Sequence, residues 1–285
     1  MKIFKDSASL GQWLLSDFNS GNIGFVPTMG ALHQGHISLI EKAKELSKVV
    51  VCSIFVNPTQ FNDTKDFEKY PNTLEADIAM LIDAGCDALY LPAVSEIYPN
   101  GLKELEHYEL GYLETVLEGS TRPGHFQGVM QVVSRLLDAV KPNVLYLGQK
   151  DFQQCMVLNK LVALKNIPVK IEVLPIQREA DGLAMSSRNR RLTETQRAKA
   201  PLIYQCLVSI EAQQGIKPFE IVKKECLELL KDKGFEPEYI VLADADTLEV
   251  FEDYQPGKKM VALIATFLGE IRLIDNLILR ANLKE

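Results

Sequence analysis

Two histidines, His33 and His36, stand three residues apart in the segment Pro27-Thr-Met-Gly-Ala-Leu-His-Gln-Gly-His36. An apolar run over residues 23–26 precedes the segment, and a helix-period run over 37–46 follows it. A strand–turn–helix junction presents unpaired backbone N–H groups and the positive end of a helix dipole, and both suit an anion. Imidazoles at such a junction add donors on the same side, so the segment reads as a nucleoside triphosphate site. It is not a P-loop. Gly30 and Gly35 have that spacing, but His36-Ile37 occupy the places of Lys-Ser/Thr. A G-x-G-x-x-G dinucleotide fingerprint does not occur. Taken alone, the two histidines also fit a plain glycine turn in which they cap a helix.

Four further segments carry groups suited to the same chemistry. In Asn57-Pro-Thr-Gln-Phe61 two amides, Asn57 and Gln60, follow a β-branched run and can bond hydroxyls and carboxylates without adding charge. Gly148-Gln-Lys-Asp-Phe-Gln-Gln154 opens a helix, with Lys150 as a point charge for phosphate. Asp151 and Gln154 share one face of that helix. Arg122-Pro-Gly-His125 is a cationic turn before another helix. Arg178-Glu-Ala-Asp-Gly-Leu-Ala-Met-Ser-Ser-Arg-Asn189 is rich in hydroxyls and arginine, and its Ser186, Ser187 and Arg188 suit closure over a triphosphate. Each segment alone is equally an ordinary turn, helix cap or basic linker.

The elements that must position these groups alternate. Strand-like runs are expected over 49–56, 88–91, 144–147 and 169–174, and helices over 73–84, 128–140 and 151–164. Such alternation predicts an α/β fold with a doubly wound parallel sheet, whose ligands lie beyond the carboxyl ends of the strands. The segments at 27–29, 57–60 and 148–151 all follow candidate strands and so fall on that edge. Past Arg191 the texture becomes helical over 193–211 and 218–231, then strand-like over 239–243, 260–267 and 271–275. A smaller α+β C-terminal domain is therefore expected over 178–285, after a domain over 1–177.

Composition bounds the function. With 285 residues and 47% apolar content, the chain has enough material for a sizeable core. A formal charge of −7 disfavours nucleic acid as a partner, so attraction for a triphosphate must be local. The five cysteines include no C-x-x-C pair and read as reduced packing residues. No apolar run of about 18 residues and no signal-peptide pattern appears, which predicts a cytoplasmic protein with no membrane partner.

Taken together and in order, the five motifs resemble the pantothenate synthetase family of the H-I-G-H nucleotidyltransferase superfamily. They are Pro27-Thr-Met-Gly-Ala-Leu-His-x-Gly-His36, Asn57-Pro-x-Gln-Phe61, Gly124-His-Phe-x-Gly128, Lys150-Asp-x-Gln-Gln154 and the run from Arg178 to Asn189. The resemblance implies a Rossmann-like catalytic domain, a lid domain carrying the Ser-Ser-Arg-Asn loop, and a homodimer. It implies condensation of pantoate with β-alanine, driven by ATP and Mg²⁺ through an acyl adenylate, with AMP and pyrophosphate released. By motif position His33, His36, Lys150, Ser186, Ser187 and Arg188 would contact phosphates. Met29, Gly148 and Asp151 would hold the nucleoside, and Gln60 and Gln154 pantoate. Asn57 and Arg122 join the substrate-binding set, and Asp77 is the candidate Mg²⁺ contact. Gln149 departs from the glutamate usual beside the lysine, and Ala76 interrupts the acidic stretch at Glu75 and Asp77. Three alternatives are weaker: the paired amides Gln60 and Gln154 disfavour transfer of the nucleotidyl group to a phosphorylated acceptor, the −7 charge opposes an aminoacyl-tRNA synthetase-like role, and the presence of His33, His36, Lys150 and Arg188 opposes a non-catalytic nucleotide sensor.

Overall fold

Residues 1–18, 21–61, 67–68, 70–103 and 105–280 are described by a computed structural model, in two units, Met1–Pro175 and Ile176–Glu285. The first unit is built on six strands: β1 (Lys2–Phe4), β2 (Ile23–Thr28), β3 (Val49–Ile54), β4 (Ala88–Tyr90), β5 (Val144–Gly148) and β6 (Lys170–Leu174). All pair in parallel, in the order β1-β4-β3-β2-β5-β6. Every residue of β3 is buried, which explains its unbroken Val-Val-Val-Cys-Ser-Ile run: both faces of a parallel sheet are covered.

Five long helices do the covering: α1 (Ser7–Phe18), α2 (Gln34–Leu46), α3 (Leu74–Asp83), α4 (His125–Val140) and α5 (Phe152–Leu164). Phe25 and Val51 join Leu10 and Trp13 of α1, Val129 and Leu136 of α4, and Leu158 of α5 in one core. Val26 and Val50, one residue along and so on the other face, join Leu39 and Ile40 of α2 and Leu81 of α3 in the second. Each fully buried side chain of this size contributes about 1.5–3 kcal/mol relative to exposure.

From β2 the chain winds outward to β3 and β4, then returns to the opposite side of β2 for β5 and β6. The winding therefore reverses between β2 and β5. Their ladder registers only Gly24↔Val144 and Phe25↔Leu145, although β2 runs on to Thr28 and β5 to Gly148. The two strands thus part before their carboxyl ends, and Pro27 has no N–H with which to continue the pairing. In a doubly wound sheet this reversal is where ligands bind.

The second unit is α+β. Its antiparallel sheet has the order β10-β9-β7-β8, with β7 (Phe235–Asp244), β8 (Val250–Phe251), β9 (Met260–Leu268) and β10 (Ile271–Ile278). Helices α6 (Leu202–Ala212) and α7 (Phe219–Asp232) pack Ile203, Leu207, Val222 and Leu230 against Ile240 and Ile264. Two expectations shift. The helix expected over 193–211 is divided into Glu194–Lys199 and Leu202–Ala212, with Pro201 between them. Strand β7 begins at Phe235 rather than 239, crossing a register shift at Pro237, which cannot donate to the ladder. The five cysteines are buried free thiols.

Candidate active site

The loop after β2 is shaped from below. Gly30 and Ala31 both adopt positive φ, at 79° and 49°, so consecutive N–H groups turn toward one side. Asp77 of α3 receives them: Ala31 N–H donates to Oδ2 and Leu32 N–H to Oδ1, each at 2.8 Å. Thr73 Oγ1 adds a third donor at 3.0 Å. Asp77 is buried, with 1% of its surface exposed, and its carboxylate fixes the histidine loop by neutralising a turn of backbone donors.

His33 and His36 then cap α2 reciprocally. Gly35 N–H donates to His33 Nδ1 at 3.1 Å, and His33 N–H to His36 Nδ1 at 3.4 Å. Because both Nδ1 atoms accept, each neutral ring carries its proton on Nε2. The rings lie 4.1 Å apart, tilted by 38°. The helix-cap and anion-site readings of this pair therefore coincide, since capping by Nδ1 is what leaves an Nε2–H donor on each ring.

After β3, Asn57 is 1% exposed and caps the 3-10 turn Pro58–Gln60. Its Oδ1 accepts from Tyr98 Oη at 2.8 Å, and its Nδ2 donates to Gly128 O at 3.1 Å and Gln60 Oε1 at 3.2 Å. Asn57 thus braces Gln60, whose Nε2 lies 2.8 Å from Met29 Sδ. Gly128 is needed where it stands, because a Cβ there would fall 2.3 Å from Thr59 O.

His125 backs the same turn. Its Nδ1 lies 2.8 Å from Gln60 O and its Nε2 3.0 Å from Arg122 Nη1. A carbonyl only accepts and a guanidinium only donates, so the ring is neutral with its proton on Nδ1. Burial, then the Arg122 charge, push its pKa down to about 4 from 6.5. Between those values the unfolded chain binds the proton that the folded ring refuses, so this contribution is complete above pH 6.5 and lost as pH falls toward 4. Urea unfolding should show about 3 kcal/mol of stability lost across that window, and His125→Gln should flatten it. Equal slopes for the two proteins would refute the assignment. Arg122 is also 3.7 Å from Glu118 Oε2.

Beyond β5, the 3-10 turn Gln149–Asp151 leads from Gly148 into α5. The Lys150 side chain is largely buried, with Nζ 3.6 Å from Asp151 Oδ1, whereas Asp151 is half exposed. Gln154 is half-buried. Its neighbour Gln153 is buried, accepting from Glu118 N–H at 3.0 Å and donating to Leu113 O and Val116 O. Sequence reasoning missed Gln153, Glu118, His125 and Tyr98 as supports. The one signal available was the paired Gln153-Gln154, of which a helix can turn only one toward its core.

Within the second unit, Ser186 caps the 3-10 turn Ser187–Arg191, accepting from Arg188 N–H at 3.3 Å. Asn189 Nδ2 donates to Ala184 O at 3.0 Å, and Ser187 is buried. Among the described residues no group of three or more His, Cys, Asp or Glu side chains gathers as a metal site, and no helix is long and apolar enough to cross a membrane.

The winding reversal, with histidine donors, a lysine and amides on the loops that follow its strands, is where an α/β enzyme of this topology takes its ligand. Comparison with known proteins gives the particular kind. The sequence pattern of pantoate-beta-alanine ligase matches residues 2–278, and the chain belongs to that family. It is 46% identical over 263 residues to the pantothenate synthetase of Cytophaga hutchinsonii, covering 90% of this chain and 92% of that one. With the Porphyromonas gingivalis pantothenate synthetase the identity is 44% over 279 residues, covering 97% and 99%. Pantothenate synthetase from Thermus thermophilus has a similar structure, with TM-score 0.90, 39% identity and 98% and 99% coverage. Pantoate-beta-alanine ligase from Francisella tularensis, complexed with beta-gamma ATP and beta-alanine, gives 0.82, 40%, 98% and 97%. The chain is accordingly a ligase that condenses pantoate with β-alanine.

Proposed function

We propose that the crevice between β2 and β5 forms the pantoyl adenylate by positioning and charge neutralisation alone. The observation that carries this is the parting of the two strands beneath the histidine loop and the lysine turn. A pantoate carboxylate oxygen attacks the α-phosphorus of ATP, and the bond to the bridging oxygen breaks with departure of pyrophosphate. The amine of β-alanine then attacks the acyl carbon, loses a proton and expels AMP. Neither step calls for a protein nucleophile, and what the chain supplies is orientation and donors aimed at developing charge.

In this assignment His33 and His36 give their Nε2–H groups, and Lys150 its charge, to the phosphates. Met29, Gly148 and Asp151 hold the nucleoside, and Gln60 and Gln154 hold pantoate. Arg122, held by His125 and Glu118, faces an anionic substrate. Ser186, Ser187 and Arg188 are assigned to phosphate by their motif. Mg²⁺ enters with the nucleotide as MgATP, and Asp77, which also accepts from the Ala31 and Leu32 N–H groups, is its candidate protein contact. The homodimer and the cytoplasmic setting rest on the resemblance.

Pyrophosphate release from MgATP tests the assignment. A single turnover with pantoate alone, becoming continuous on adding β-alanine with AMP and pantothenate accumulating, is the expected result. Continuous release with pantoate alone, or turnover only with a phosphorylated acceptor, would overturn it.

A further inference from the structure

The turn that presents Gln60 is held by its main chain as well as by Asn57. The main-chain holder is His125, a buried imidazole for which the two chemical steps above have no use. It is 7% exposed and sits at the first residue of α4, behind Gly124 with φ of 80°. One ring nitrogen reaches Gln60 O at 2.8 Å and the other Arg122 Nη1 at 3.0 Å. Three residues further along the helix, Gly128 lets the α4 backbone touch the same turn, and Asn57 ties Gly128 O to it. Arg122 cannot drift freely, since Glu118 lies 3.7 Å away and the Glu118 N–H is fixed by buried Gln153.

We propose that His125 is a positioning residue for pantoate: Arg122 locks its ring in the Nδ1–H tautomer, and that N–H holds the Gln60 turn in register for the acid. The inference rests on Gln60 being a pantoate contact. Its chemistry is directional. A guanidinium has no lone pair to offer, so Nε2 must be the acceptor, and the single ring proton is left for the carbonyl of Gln60. Loss of that bond frees the turn backbone at its Gln60 end, so the cost falls on the substrate that the Gln60 amide meets.

Two amide variants separate the ring nitrogens. His125→Asn places an N–H near Nδ1 and keeps a donor for Gln60 O. His125→Gln reaches the Nε2 position, keeps an acceptor for Arg122 and gives up the Gln60 bond. Steady-state kinetics of the full chain would vary pantoate at saturating MgATP and β-alanine, with Gln60→Ala as reference. His125→Gln should raise KM for pantoate about tenfold with kcat within about threefold, and His125→Asn should hold that KM within about threefold. Equal rises in both variants would mark a merely structural residue and overturn the proposal. So would no rise in either while Gln60→Ala raises KM, which leaves the Gln60 assignment standing. An unchanged KM in Gln60→Ala instead removes that assignment and the proposal with it. A measurement that needs no variant of His125 to fold is the ¹⁵N–¹H correlation of the histidine rings in the unmodified protein at neutral pH. A ring of His125 protonated at Nε2 would overturn the lock, and one protonated only at Nδ1 supports it.

Discussion

Replacing Arg178 by methionine is expected to lower the unfolding free energy of the second unit by about 3–5 kcal/mol. Its guanidinium meets Asp275 as a two-pronged pair, Nη1 to Oδ2 at 2.6 Å and Nη2 to Oδ1 at 3.0 Å. The Asp275 side chain is only 3% exposed. The same guanidinium donates to Gly182 O and Asn276 O and lies over the Tyr204 ring at 3.9 Å. Methionine fills a similar volume but takes the two-pronged cation from a buried carboxylate, and the loss of that pairing is where the cost arises. Lysine should recover only part, because one ammonium cannot reproduce the fork or the stacking. The cycle with Asp275→Leu separates pair from packing: the double variant should be more stable than Arg178→Met, having no carboxylate there to pair. Urea unfolding of the four proteins decides it, and a loss below about 1 kcal/mol in Arg178→Met would refute the account. Activity should fall as well, since Arg178 pairs with Ala184 across a bridge and holds the base of the loop bearing Ser186 and Arg188.

Arg178 also shows what a motif conceals. Within Arg178 to Asn189 the sequence offers two arginines, and nothing local says which one faces a ligand and which is buried against a carboxylate 97 residues away. Asp77 and Asn57 carry long-range partners of the same kind. Each is a polar residue in a polar stretch near a strand end, and each proves to bond backbone far off in sequence: Asp77 at Ala31 and Leu32, Asn57 at Gly128. Local pattern is legible where the environment is uniform. Val49–Ile54 is buried throughout and declares itself by unbroken apolar character, and α4 by its stripe from Val129 to Leu137. The winding and the loop-bearing edge follow from such elements. No expectation attached to β1, which has only three residues, or to Ser7–Phe18, although Leu10, Trp13 and Leu14 stand at helical spacing. Choosing between a side chain that meets a ligand and one that supports its neighbour needs the long-range partner, which periodicity does not encode.

The largest effect on chemistry is expected at Lys150, where Lys150→Ala should slow adenylate formation by about 10²–10³. Its side chain is 18% exposed on a turn fixed at both ends, by β5 and by the first turn of α5. Lys150 is thus preorganised, with its ammonium 3.6 Å from Asp151 Oδ1. As pantoate attacks, negative charge moves onto the leaving pyrophosphate. A cation already in place stabilises that charge with no reorganisation, in a site drier than water. Gln149 beside it leaves the turn one negative charge short of the glutamate pattern, so less of the lysine's field is cancelled. The deficit should therefore appear in single-turnover adenylation and in kcat, with the KM for pantoate changing little. Lys150→Arg should restore less than the full rate, because a planar fork does not sit where a compact ammonium did. Lys170→Ala, which removes an exposed cation at the start of β6, should leave the rate near that of the wild type. A loss below about threefold in Lys150→Ala, or an equal loss in Lys170→Ala, would deny the lysine this role and attribute the effect to net charge alone.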